Sequence, residues 1–184
     1  MGRTVIVSRR HDQLSRLLME QLYDAVAVSS FKVEFKRGDQ LCWLAQPGDP
    51  VDDEVQDLAK LIDQSIFLPR KIVMLSMAGT ADDADIGQLK KWYGKSAQEY
   101  LWAHQYAVKM IDEFELPYTI VRALPIMATT TKAKITAEGQ SITGTGVSEQ
   151  ALAKVLSQVL DSDQYDGQSI GVSAEDEGDY DDRK

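Results

Sequence analysis

The strongest constraint on the fold lies at the start of the chain. Val5-Ile6-Val7 turns at once into Ser8-Arg9-Arg10-His11-Asp12, then into a segment with Leu14, Leu17, Leu18 and Leu22. A β-branched run followed directly by apolar residues at helical spacing reads as a strand feeding a helix. Such a unit opens doubly wound α/β sheets, where a glycine-rich turn normally lets a phosphate approach the helix N-terminus. Here the turn contains no glycine. The junction specifies the scaffold without the chemistry usually attached to it.

The rest of the chain continues the alternation. Residues 24–30 form a short apolar run, and residues 31–39 alternate apolar and charged side chains, which predicts a half-exposed edge strand. No helix fits between the two, so they form either a hairpin or a cut-down part of the sheet, because a parallel crossover needs about a dozen residues. Residues 40–45 predict a buried strand. Asp49 then predicts a helix cap, with Pro50 at the first position and Val51, Val55, Leu58, Ala59 and Ile62 as the buried stripe. Further strands are expected at 71–76, 118–122 and 168–172, a helix at 96–114, a small hairpin around Glu138-Gly139, and a last helix capped by Ser148. The pattern predicts an α/β fold: a Rossmann-like, doubly wound, mostly parallel sheet with the second and third strand region shortened. Ligands of such sheets bind beyond the carboxyl ends of the strands, which singles out the loops at 8–13, 45–49, 76–80 and 123–131.

The 184 residues suit one domain, expected over 1–173, and residues 174–184 read as an acidic, disordered tail. The formal net charge of −9 argues against nucleic-acid binding, which needs a basic surface. One cysteine, Cys42, rules out a disulfide framework within the chain and reads as a small buried hydrophobe. Two histidines and one cysteine leave few ligands for a zinc site. No stretch is apolar enough to span a bilayer and the N-terminus lacks the apolar core of a secretion signal. A cytoplasmic, metal-independent domain with no membrane partner is expected.

Several segments carry a resemblance. Val5 to Leu22 aligns without gaps to a pattern of strand, threonine, Gly-x-x-Gly-x-x-Gly and helix. Arg37-Gly38-Asp39 looks like a Gly-Asp that ends a third strand, and Ile72-Val73-Met74-Leu75-Ser76 like a fifth strand with its terminal serine. Tyr100-Leu101-Trp102-Ala103, its helix and Tyr118-Thr119-Ile120-Val121-Arg122 look like a catalytic-type helix and sixth strand. The late helix starting Val147-Ser148-Glu149-Gln150-Ala151 fits as well. The chain thus resembles the atypical short-chain dehydrogenase/reductase family, in its NmrA-like, NAD(P)H-binding group, over nearly its whole length. The resemblance implies NADP or NAD as the cofactor, with Ser8, Arg9, Arg10, Asp12, Asp39 and Ser76 as cofactor-binding positions. It implies Ser76, Tyr100 and His104 as the catalytic positions, with Asp39 facing adenine.

The departures fall on those positions. The three glycines of the pattern are here Arg9, Asp12 and Ser15. Asp12 is placed to cap the helix, where its carboxylate would take the anion site that a pyrophosphate uses. Arg9 and Arg10 read as surface cations paired with Asp12, or as side chains reaching a phosphate themselves. The lysine of the Tyr-x-x-x-Lys pattern is His104, on the apolar stripe of its helix, and reads first as a structural histidine with a satisfied hydrogen bond. Its other reading is a general acid or base with Tyr100 and Ser76. Trp92, Tyr93, Trp102 and Tyr106 are expected to pack against the sheet or a partner subunit.

Two readings of function follow. In one, a Rossmann-type domain with weakened or lost dinucleotide binding acts as a non-catalytic binding or regulatory protein, with a dinucleotide, a small molecule or another protein as partner. In the other, an NAD(P)H-dependent oxidoreductase acts on a small molecule and grips phosphate through Arg9 and Arg10.

Overall fold

The computed structural model describes residues 2–129 and 131–175, and its opening junction folds as the sequence predicts. Strand β1 (Thr4–Val7) runs into helix α1 (Gln13–Gln21), which Asp12 caps by accepting the Ser15 N–H at 3.1 Å. The chain continues through β2 (Ala25–Val28), β3 (Gln40–Leu44), α2 (Val51–Gln64), β4 (Ile72–Met77), α3 (Ile86–Tyr93) and α4 (Ala97–Glu113). It closes with β5 (Tyr118–Ala123), β6 (Ala133–Thr136), α5 (Glu149–Asp161) and β7 (Gln168–Ala174). The seven strands form one sheet in the order β2-β1-β3-β4-β5-β7-β6, parallel throughout except for β6 against β7. This is the Rossmann-like, doubly wound sheet expected, and its shortening lies at one edge. Among the described residues the sheet ends at β2.

Strand alternation divides the core in two. Ile6, Cys42, Leu44, Val73 and Leu75 face α1 and α5, where Leu14, Leu18, Leu152, Val155 and Leu156 pack against them. Val5, Val7, Leu41, Trp43, Ile72 and Met74 face the other way, toward Val55 and Leu58 of α2 and Ala107 and Ile111 of α4. A strand buried on both faces reads as a continuous apolar run, which is why the central strands were legible in the sequence. Cys42 is fully buried in this core, and burial pushes its thiol up to about 12.

Three sequence expectations are corrected here, and one helix is added to them. Residues 31–39 are not a strand. The eleven residues between β2 and β3 cross the sheet as an irregular strap, because those two strands lie on opposite sides of β1. Its alternating side chains, Phe31 and Phe35, are buried on the α2 side, with Phe31 edge-on to Trp43 at 5.2 Å between ring centres. The alternation records burial beneath a crossover, not strand pairing. Helix α3, capped by Asp85, was not foreseen, since it is short and follows an acidic loop. The hairpin around Glu138-Gly139 does not form: β6 pairs with β7, and Ile142 N–H bonds the Asp83 carbonyl. Asp49 does not cap α2, whose N-cap is Pro50 without a side-chain bond. Ser148 does cap α5, accepting the Ala151 N–H at 3.1 Å. Strand β7 reaches Ala174, one residue into the expected tail, and residues 176–184 lie outside the described residues.

Candidate functional site

Strand order reverses at β1, whose neighbours are β2 and β3, and a crevice opens there beyond the carboxyl ends of the strands. The loop after β1 supplies Ser8, Arg9, Arg10 and Asp12 to it, and the loop after β3 supplies Gln46, Pro47, Gly48 and Asp49. Ser8 Oγ donates to the Arg10 carbonyl at 2.7 Å, which folds the first loop into a tight turn without glycine. The two arginines leave that turn toward α2 and its preceding loop. Arg10 grips Asp49 with both terminal nitrogens, at 3.1 and 2.5 Å, and Asp49 raises its pKa. Arg9 bonds Glu54 at 2.7 Å. Burial raises the Glu54 carboxyl, and the bond from Arg9 opposes that shift. The expected pairing of both arginines with Asp12 is therefore corrected. Asp12 spends its carboxylate on its own helix, and the carboxylates facing the arginines come from across the crevice.

At the other side of the crevice, Ser76 near the end of β4 meets His104 of α4. The ring is fully buried, and its Nε2 lies 3.1 and 3.2 Å from the Gln46 and Pro47 carbonyls. Carbonyls only accept, so Nε2 carries the proton and Nδ1 accepts from Ser76 Oγ at 2.8 Å. Burial lowers His104 to about 4 despite the two carbonyl bonds, so the ring is neutral near pH 7. Tyr100, one turn earlier, reaches the same loop: a Cβ on Gly48 would lie 3.5 Å from the Tyr100 Cζ and Oη atoms.

Ser8, Arg9, Arg10, Asp12, Ser76, Tyr100 and His104 thus lie on the side of the carboxyl ends of β1, β3 and β4, and Asp39 does not. It precedes β3 at the amino-terminal edge of the sheet, 1% exposed, paired to Arg3 at 3.1 Å and accepting the Lys36 N–H at 2.7 Å. Its expected place facing adenine is corrected by topology, because Gly38-Asp39 leads into a strand instead of ending one.

Two further side chains were missed as site residues. Asp49 was read as a helix cap, although a Gly-Asp just past a strand's carboxyl end was a signal available in the sequence. Tyr93 was grouped with packing aromatics. Its hydroxyl accepts the Ala78 N–H at 3.0 Å and donates to the Ala123 carbonyl at 2.8 Å, between the ends of β4 and β5, and burial raises its pKa. Trp102 and Tyr106, expected to pack against the sheet or a partner subunit, are 60% and 42% exposed and so do not pack on the sheet. His11 is an exposed turn residue.

Two spaces adjoin the crevice. Between the loops after β3, β4 and β5, a cavity of about 30 Å³ is bounded by Gln46, Pro47, Ser76, Tyr93, Leu124 and Leu152. That volume admits a water molecule, far below the roughly 300–1,000 Å³ of ligand sites. Beside the first loop, Arg9, Ser29, Ser30, Phe31 and Glu54 border a larger hollow of about 290 Å³. Among the described residues no three His, Cys, Asp or Glu side chains are grouped to hold a metal ion, and no helix is long and apolar enough to cross a membrane.

Fold and crevice together define a Rossmann-type domain of the kind that takes dinucleotides at a strand switch point. The chain belongs to the NAD(P)H-binding family, which it matches over residues 13–163. Solved structures agree on the fold. A short-chain dehydrogenase/reductase from Veillonella parvula, in its ethylated form, is 17% identical over 94% of both chains, with a TM-score of 0.73. Its wide-type form in complex with NADP is 18% identical over 94% of both chains, with a TM-score of 0.69. A Rossmann-fold NAD(P)-binding family protein from Shigella flexneri is 13% identical over 96% of this chain and 98% of its own, with a TM-score of 0.67. No curated protein sequence matches this chain.

In the conformation described, Arg10 is paired with Asp49 and the space beside Ser76 is about 30 Å³.

Proposed function

We propose that this member of the NAD(P)H-binding family binds dinucleotides weakly and acts as a non-catalytic binding or regulatory protein. The observation that carries the reading is the state of His104. A lysine ammonium at that position would lower a neighbouring tyrosine's pKa and donate to a ribose. The His104 ring is neutral, buried, and bonded at both nitrogens within the fold, to Ser76 on one side and to the 46–49 turn on the other. Its one N–H is already given to the turn carbonyls, and its other nitrogen already accepts from Ser76. The charge pair between Arg10 and Asp49 supports the same reading at the phosphate end.

A second reading is an NAD(P)H-dependent oxidoreductase acting on a small molecule. The Tyr93 and Ser76 hydroxyls at the crevice favour it, together with two arginines able to take a phosphate in place of backbone amides. Calorimetric titration with NADPH and NADH, alongside spectrophotometric assay of NADPH oxidation with quinone and flavin acceptors, separates the two. The first reading expects binding only at millimolar cofactor and no oxidation. Micromolar binding abolished by Arg9→Ala, with measurable turnover, would overturn it in favour of the second.

A further inference from the structure

The two departures from the family pattern are physically connected. Ser76 donates to His104, and His104 donates to the Gln46 and Pro47 carbonyls. The same turn is closed from within: Gln46 N–H donates to Asp49 Oδ2 at 2.9 Å and Asp49 N–H to the Gln46 carbonyl at 3.1 Å. Asp49 then holds Arg10, and Ser8 holds the Arg10 carbonyl. The contacts run without a gap from the family's catalytic position to its phosphate loop. His104 holds two carbonyls of the turn whose Gln46 N–H holds Asp49, so the imidazole helps to set where the Asp49 carboxylate points.

We infer that Asp49 is an internal stand-in for a ligand phosphate: His104 positions the 46–49 turn so that Asp49 occupies Arg10, and a phosphate-bearing ligand enters by taking Arg10 from Asp49. The inference rests on the proposed reading that this crevice is where the ligand binds. A guanidinium fork receives a carboxylate and a phosphate in the same bidentate geometry, so the two compete for one partner. The Asp49 side chain is 6% exposed and fixed by the turn, while the Arg10 side chain is 42% exposed and open to the solvent from which a ligand arrives. A tethered carboxylate competes at high effective concentration and lowers apparent affinity by the fraction of molecules in which the pair is open. Asp12 and Glu54 also face Arg10 with negative charge, which keeps the guanidinium compensated while the pair exchanges. His104 is here a positioning residue. It touches neither ligand nor Arg10.

The test is calorimetric titration of the full chain with inorganic pyrophosphate and, separately, with NADPH. Asp49→Asn keeps the side-chain shape and an acceptor for the Gln46 N–H but removes the charge. Pyrophosphate affinity is expected to rise about tenfold in this variant, and Arg10→Gln added to it to cancel the gain. Unchanged pyrophosphate affinity in a natively folded Asp49→Asn overturns the inference. Nitrogen NMR of the Arg10 guanidinium gives a measurement on the unmodified chain. Saturating pyrophosphate should shift that signal, and no shift at saturation overturns the inference without any variant. His104→Ala should broaden the same signal through faster exchange and raise pyrophosphate affinity about threefold. A sharp signal and unchanged affinity would remove His104 from the device. A gain for pyrophosphate with none for NADPH sustains the stand-in and overturns the dinucleotide reading. Tight NADPH binding that is indifferent to Asp49→Asn sustains the dinucleotide site and overturns the stand-in.

Discussion

Strands β1 and β3 are joined at both ends by an arginine and an aspartate. At the amino-terminal end, Arg3 beside β1 meets Asp39 beside β3, and at the carboxyl end, Arg10 meets Asp49. The chemistry is the same and the surroundings differ. Asp39 is sealed in, 1% exposed, and also accepts the Lys36 N–H, so that pair fixes the strap that crosses the sheet. Arg10 stands at the switch-point crevice with its head group open to solvent. A pair of one composition is a fastening where nothing can reach it and a competitor where a ligand can. Position relative to the strand ends, and not residue type, separates the two roles.

The largest expected effect breaks the sealed member. Asp39→Ala takes the acceptor from the Lys36 N–H and the carboxylate from Arg3, which keeps only its bond to the Glu34 carbonyl, and should cost about 3 kcal/mol in denaturant unfolding, near the low end for broken buried pairs because Arg3 is partly exposed. Pyrophosphate affinity should not change. If it rises, the two pairs are not separate devices.

Acid should expose the contribution of His104. Its folded pKa, about 4, lies below the ordinary 6.5 of the unfolded chain, so the unfolded state takes up the proton first. The stabilisation is complete above pH 6.5 and declines as pH falls toward 4, by up to about 1.4 kcal/mol per pH unit. Unfolding curves across that range should show the slope in the wild-type chain and lose it in His104→Asn. A slope that survives the substitution would place the acid sensitivity elsewhere.

Asp49→Asn should cost only about 1 kcal/mol of stability, because Arg10 regains water when the pair is lost. A loss as large as that of Asp39→Ala would make the carboxyl-end pair a fastening too. The smallest effect belongs to Arg9→Ala, at most about 0.5 kcal/mol, since its bond to Glu54 lies at the surface. Thermal unfolding of the single variants checks the whole series.

Much of the scaffold was legible from residues alone. The Asp12 and Ser148 caps, the doubly buried central strands and the helix carrying His104 follow from local periodicity and capping chemistry. The apolar stripe reads His104 as a partly buried histidine with a satisfied hydrogen bond, and the ring is fully buried and bonded at both nitrogens. What misled was burial from a distant part of the chain. Phe31, Val33 and Phe35 alternate as a strand does, yet their partner is the sheet face beneath the strap. Asp39 carries the Gly-Asp signature of a strand end and lies at a strand beginning.

The sequence by itself determined the class of fold, because strand and helix periods, caps and the opening junction are local properties of neighbouring residues. The turn after β1 lacks glycine, and the family resemblance puts His104 where that pattern has a lysine. Three-dimensional packing decided which carboxylates meet Arg9 and Arg10, that Asp39 sits at the amino-terminal end of β3, and that His104 and Asp49 belong to one run of contacts. Charges about forty residues apart in sequence, such as Arg10 and Asp49, find each other through strand order and register. Those are set by how the whole core packs, which no local pattern encodes.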